Sequence, residues 1–284
     1  MLYSNISIRS TAGKELLADL HYPENSAAAP IAVFFHGFKG FKDWGFWALA
    51  GNALAAAGVA FLRCNFSHNG VTPEQLQDFA DLEAFGQNSY SKELADITAV
   101  LDWLHQPATQ QRYPLDLNRL TLIGHSRGGG ISIIAASEDA RIQQLITWAS
   151  VDGLDFLWRN QSHALLNQWR AQGVYYIHNA RTGQQMPLYF QLYEDFERNA
   201  DRFDIQAALR DFSKPMLILH GSADTSVPPE AARRLKAWNP AAELRIIDGG
   251  DHVFGGKHPY LETELPGTAE ELVEVSLRFV NRTK

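Results

Sequence analysis

The sequence predicts an α/β fold built on a mostly parallel central sheet flanked by helices, and three observations carry that reading. Short apolar, β-branched runs alternate with helically spaced apolar patterns along almost all of the 284 residues, the sequence form of strand and crossover units. The runs are continuous rather than alternating, as expected of strands covered on both faces. One of them, 120–124, passes straight into a serine framed by glycines and then into a helix.

In chain order, residues 5–9 and 15–22 read as an antiparallel strand pair. Four short apolar runs at 31–35, 59–65, 120–124 and 145–149 read as central strands, followed by two more at 216–219 and 244–247. Leu94, Ile97, Leu101 and Leu104 fall at helical spacing, giving one apolar stripe on a helix over 91–105 that Pro107 ends. A helix should open near Ile131, another at Pro228-Pro229, and a last one at a capping box of Thr268 and Glu271, with Leu272, Val275 and Phe279 on one face. Between about 152 and 212 the chain is too long for an ordinary crossover and is crowded with aromatics, so the predicted organisation is a core of 1–151 and 213–284 interrupted by a lid over 152–212. Inside the lid, 174–177 and 188–192 around Arg181-Thr182-Gly183 read as a hairpin.

Composition narrows the class. With 45% hydrophobic residues and a formal net charge of -7, the chain can bury a large core and offers no basic stripe for nucleic acid or an anionic membrane. The single cysteine, Cys64, lies in an apolar run and reads as a packed thiol. The first seven residues show no basic region followed by an apolar run, and the longest apolar run falls far short of the roughly 20 residues of a membrane span. The expected location is cytoplasmic.

Chemistry concentrates at strand ends. Gly124-His125-Ser126-Arg127-Gly128 follows a strand and opens a helix, the context a nucleophile elbow needs, because the turn is tight enough that a Cβ two residues either side of the serine would strike its neighbours. A serine hydroxyl attacks only if a base takes its proton, and that base needs a carboxylate to fix its tautomer. Asp224 follows the 216–219 run and His252 follows the 244–247 run through Gly249-Gly250, so both candidates sit where parallel strand ends converge. The order Ser126, Asp224, His252 is that of the α/β-hydrolase fold. Asp152, after the 145–149 run, and Asp251, beside the histidine, are rival acids. One amide donor for a developing oxyanion should come from Arg127, at a helix N-terminus. His36, His68, His220 and His252 lack metal-ligand spacing, and no metal is expected. His220 reads as a packed scaffold residue, and His125 as the variable position of the elbow.

Together, His36-Gly37-Phe38, Gly124-His125-Ser126-Arg127-Gly128-Gly129, His220-Gly221-Ser222-Ala223-Asp224 and Gly250-Asp251-His252 resemble the α/β-hydrolase superfamily in its dienelactone-hydrolase-like and acyl-esterase branch. Within it the chain is most similar to bacterial cinnamoyl (feruloyl) esterases, through an insertion between the sixth and seventh core strands, Pro187-Leu188-Tyr189 inside it, and Val253-Phe254 after the histidine. The resemblance implies hydrolysis of a small-molecule carboxylic ester, of an aromatic acid or a short acyl chain, through an acyl-enzyme and without cofactor. It also places the second oxyanion donor at the Phe38 amide. A peptidase or thioesterase on the same scaffold, and a non-catalytic binding protein that kept the fold, are the alternatives. The loop 65–70 departs from the branch in lacking a Gly-His-Gly form, and a serine nucleophile separates the chain from dienelactone hydrolases with cysteine. An aromatic lid should supply an apolar pocket, with Trp169, Tyr175, Tyr176 and Tyr189 as its candidates.

Overall fold

A computed structural model describes residues 1–24, 26 and 28–282. Its strands are β1 (Leu2–Arg9), β2 (Glu15–His21), β3 (Ala29–Phe35), β4 (Ala60–Cys64), β5 (Leu115–His125), β6 (Gln144–Trp148), β7 (Val174–His178), β8 (Gln185–Tyr189), β9 (Met216–Gly221) and β10 (Glu243–Ile247). The helices are α1 (Trp47–Ala56), α2 (Leu82–Gly86), α3 (Tyr90–Leu104), α4 (Pro107–Arg112), α5 (Arg127–Glu138), α6 (His163–Gln172), α7 (Gln191–Arg198), α8 (Ile205–Arg210), α9 (Glu230–Trp238) and α10 (Gly267–Val280).

Eight strands form one sheet in the order β1-β2-β4-β3-β5-β6-β9-β10. β1 and β2 join it antiparallel, and every pairing from β4 through β3, β5, β6 and β9 to β10 is parallel. Strand alternation explains the continuous apolar runs. In β3, Ile31, Val33 and Phe35 enter a core with α3 and α5, while Ala32 and Phe34 enter a second core on the opposite face with α1 and α10. Both faces are covered, so neither set of alternate positions can be polar. Cys64 is buried, and burial pushes its thiol pKa well up.

Three local expectations shift. α3 begins behind Ser89, whose hydroxyl accepts the Lys92 N–H, and Pro107 both ends that stripe and opens α4. The capping box at Thr268 does not form: Pro266 stands at the N-cap and its carbonyl accepts the Ala269 and Glu270 amides, while Glu271 instead binds Arg245. The hairpin is present as β7 and β8, but 191–192 belong to α7, because the apolar spacing there serves a helix. One feature had no sequence signal. Lys42, 1% exposed, and Arg63 share Asp19 and Asp43 in a buried ion-pair cluster with contacts of 2.6–2.9 Å. Among the described residues, no helix is long and apolar enough to cross a membrane.

Candidate active site

The parallel strands end on one edge of the sheet, and four of those ends build the site. Ser126 sits between β5 and α5 with φ +55° and ψ −122°, a conformation that costs a non-glycine residue roughly 1–3 kcal/mol. The surroundings hold it there. Its N–H donates to Trp148 O at 2.9 Å, and its carbonyl accepts from Gly129 at 2.9 Å and Gly130 at 3.3 Å. A Cβ on Gly124 would stand 2.3 Å from Gly128 O, and one on Gly128 would stand 2.4 Å from His36 O. Glycine is therefore a steric requirement at both places, as the motif anticipates.

Ser126 Oγ lies 3.0 Å from His252 Nε2, and His252 Nδ1 lies 2.8 Å from Asp224 Oδ2. A nitrogen facing a carboxylate carries the proton, so the partner chemistry assigns N–H to Nδ1 and leaves the Nε2 lone pair toward the serine. Asp224 is held from both sides. Its Oδ1 accepts the Ser226 and Val227 amides at 2.9 Å each, and His220 Nε2 stands 3.3 Å from its Oδ2. Burial alone would raise the Asp224 pKa, but the hydrogen bonds from His220, His252 and the Val227 amide outweigh it and hold the carboxyl well below the usual range.

The histidines set aside in the sequence have structural work around this site. His220 Nε2–H also donates to Val227 O at 2.8 Å, fixing the turn that carries Asp224. His125 Nε2–H donates to His252 O at 2.9 Å, and its ring lies 4.9 Å from the His252 ring. Burial, aided by the nearby His252, pulls the His125 pKa down to about 3, so it stays neutral. His36 Nδ1–H donates to Gly37 O, and its Nε2 accepts from the Phe66 amide and from Asn69 Nδ2 at 3.3 Å each. The unusual loop 65–70 thus braces the turn after β3.

That turn lies directly over the nucleophile: a Cβ on Gly37 would be 2.7 Å from Ser126 Cβ and 3.2 Å from its Oγ. Phe38 follows on this turn, and Arg127 opens α5, so the two expected amide donors flank Ser126 in the fold. Their side chains also meet, the Arg127 guanidinium standing 4.7 Å from the centre of the Phe38 ring. Glu93 Oε1 binds Arg127 at 2.5 Å underneath.

The rival acids are occupied elsewhere. Asp152 is ion-paired with Arg159 at 2.8 Å and with Arg234. Asp251 Oδ1 accepts the Val253 and Gly255 amides at 3.1 and 2.8 Å and shapes the loop behind the histidine.

A cavity of about 370 Å³ opens at Ser126 and His252, with Phe38, Trp44 and Trp47 as aromatic wall. None of the four aromatics of segment 152–212 predicted to line the pocket does so. Trp169 is buried in the segment's own cluster, its Nε1–H donating to Leu188 O at 2.8 Å and its ring 5.4 Å from Phe190 and 6.1 Å from Trp158. Tyr189 binds Glu83 and packs on Gly86 of α2. Tyr175 and Tyr176 are exposed on β7. Aromatic density here builds a satellite core, and among the described residues the segment reaches the cavity through Asn179 and Arg181 of the hairpin turn.

Residues 32–264 match the Alpha/beta hydrolase family. The chain belongs to that family. Among curated relatives, a 2-hydroxymuconate semialdehyde hydrolase of Pseudomonas sp. (strain CF600) is 25% identical over 272 residues, covering 86% of each chain. A probable isoprenylcysteine alpha-carbonyl methylesterase of Arabidopsis thaliana is 26% identical over 277 residues, and the match spans 90% of this chain but 58% of that relative's length. Among solved structures, Est1E from Butyrivibrio proteoclasticus superposes at a TM-score of 0.67 with 21% identity, covering 98% of this chain and 97% of its own. At these identities the structural likeness speaks for the fold.

Proposed function

We propose that the protein is a serine hydrolase of carboxylic esters acting through an acyl-enzyme, with Ser126 as nucleophile, His252 as general base and Asp224 as its orienting acid. The observation that carries this reading is the unbroken relay in which His252 bridges Ser126 Oγ at 3.0 Å and Asp224 at 2.8 Å. In the first step Ser126 Oγ attacks the ester carbonyl as its proton passes to His252 Nε2, and Asp224 stabilises the imidazolium formed. The Phe38 and Arg127 amides receive the negative charge that develops on the carbonyl oxygen. His252 then protonates the departing alcohol, and water repeats the sequence to release the acid. The elbow serves this chemistry by presenting Oγ at a helix N-terminus in a left-handed backbone turn that Gly124 and Gly128 leave room for.

The segment 152–212 is read as a lid that roofs the cavity through its hairpin turn, with acyl or alcohol contacts supplied by Phe38, Trp44 and Trp47. Aromatic-acid esters suit such walls, and Est1E, one of the structural neighbours, has been seen with ferulic acid bound. The test is turnover of 4-nitrophenyl acetate and methyl ferulate by wild type and Ser126→Ala. Hydrolysis by wild type that falls by about 10⁶ in the variant supports the reading. Turnover of amides or thioesters but not oxygen esters would transfer it to a peptidase or thioesterase, and no turnover of any would leave a binding protein.

A further inference from the structure

The cavity at Ser126 is lined with hydrogen-bond donors and cations and, among the described residues, with no aspartate or glutamate, in a chain whose net charge is -7. Lys39, next to Phe38, is half-buried and makes no ion pair among the described residues. Its backbone is held at φ +56°, a left-handed conformation that a lysine rarely adopts. Burial without a compensating carboxylate lowers its pKa. Arg181 enters from the hairpin turn, its guanidinium 5.9 Å from the centres of the Phe41 and Phe79 rings, and among the described residues its one ion pair, to Asp78, is long at 3.4 Å and partly exposed.

Asn179 supplies the third observation. It is 7% exposed and lines the same cavity, and its Oδ1 accepts the Arg181 amide at 3.3 Å, which fixes its orientation. Its Nδ2 is then a buried donor without a partner. A buried amide donor without an acceptor is destabilising, and a ligand that accepts from it removes that cost. Two cations and an orphaned donor, in a lining that holds no carboxylate among the described residues, define a site for an anion.

We propose that this cavity recognises an ester that carries a second, ionised carboxylate, held by Lys39, Arg181 and the Asn179 amide. The inference rests on the esterase reading and names its substrate class. The test compares isosteres that differ in charge: monomethyl adipate with methyl adipamate, which place the group on the acyl side, and butyryl glycolate with butyryl glycolamide, which place it on the alcohol side. In wild type, kcat/KM for the anion should exceed that for the amide at least about tenfold in one pair, the low end of what a hydrogen bond to a charged group contributes. Lys39→Gln and Arg181→Gln should each bring that ratio toward one, whereas Arg210→Gln, which removes an exposed cation of α8 outside the cavity, should leave it at the wild-type value. Ratios at or below one in both pairs, or ratios unmoved by both cavity variants, overturn the proposal while leaving the esterase intact. If no ester is turned over, the esterase reading fails instead. Quenching of Trp44 and Trp47 fluorescence in Ser126→Ala by monomethyl adipate against methyl adipamate then decides the anion site, equal affinities overturning it.

Discussion

Replacing Asp224 with asparagine removes one charge and changes one atom, and the local geometry dictates how His252 must respond. Oδ1 is pinned by two amide donors, Ser226 and Val227, at 2.9 Å each. The asparagine keeps its carbonyl oxygen there and must turn its NH2 toward His252 Nδ1. Two donors cannot face each other at 2.8 Å, so the imidazole changes tautomer and places its proton on Nε2. That proton then points at Ser126 Oγ across 3.0 Å, and a protonated nitrogen accepts nothing. The expected loss in kcat is about 10⁴, or about 5.5 kcal/mol of barrier, as for a wrong-tautomer histidine in serine hydrolysis generally. The assay is 4-nitrophenyl acetate hydrolysis by protein shown to be folded, with Asp152→Asn as control. Since Asp152 is engaged by Arg159 and Arg234, that variant should stay within about threefold of wild type. Asp224→Asn within tenfold of wild type, or Asp152→Asn losing 10⁴, would refute the assignment of the acid.

Other variants test the frame around the triad. Gly128→Ala puts a methyl 2.4 Å from His36 O and 2.7 Å from Phe35 O, both main-chain atoms, so it should cost about 3 kcal/mol or more in urea unfolding and abolish activity. Trp44→Ala should change the kcat/KM ratio between methyl ferulate and acetate by about 1–3 kcal/mol, whereas Tyr176→Ala should leave the ratio alone; the reverse result would return the pocket to the segment 152–212. Burial holds His21, His36, His68 and His125 neutral, with pKa values of about 4, 3, 4 and 3 against 6.5 when free. Unfolding takes up protons on these four between pH 6.5 and about 4, while Asp96, raised by burial to about 7, and Glu93, also raised, oppose them by up to two. The net uptake of at least two protons means stability falls as the pH is lowered, on the order of 3 kcal/mol per unit near pH 5. Urea midpoints that hold or rise from pH 7 to pH 5 would contradict this.

What the sequence revealed and what it hid depend on the range of the interactions. Ser126, Asp224 and His252 were legible because each comes after an apolar run through small residues, and parallel strands bring such ends together whatever their separation in sequence. The sheet was legible because burial on both faces leaves no polar position in β3. Trp169, Tyr175, Tyr176 and Tyr189 misled because aromatic content reports how much surface a segment must bury, not which way its rings turn. In their place the wall comes from Trp44 and Trp47, whose sequence context reads as ordinary loop and helix. His125 and His220 act through backbone carbonyls, Asn179 and Arg181 sit in a turn, and the Lys42 and Arg63 ion pairs tie the loop after β3 to the neighbouring strands β2 and β4. None of those contacts leaves a spacing to read.

If Ser126 is the nucleophile, covalent modification by an electrophilic ester mimic falls on Ser126 alone. Intact-mass analysis after treatment with a fluorophosphonate tests it most directly. Wild type should give a single adduct, mapped by peptide digestion to the Ser126 peptide, absent from Ser126→Ala and strongly slowed in His252→Ala. An adduct on Ser126→Ala, or one mapped to another residue of the wild-type chain, would contradict it.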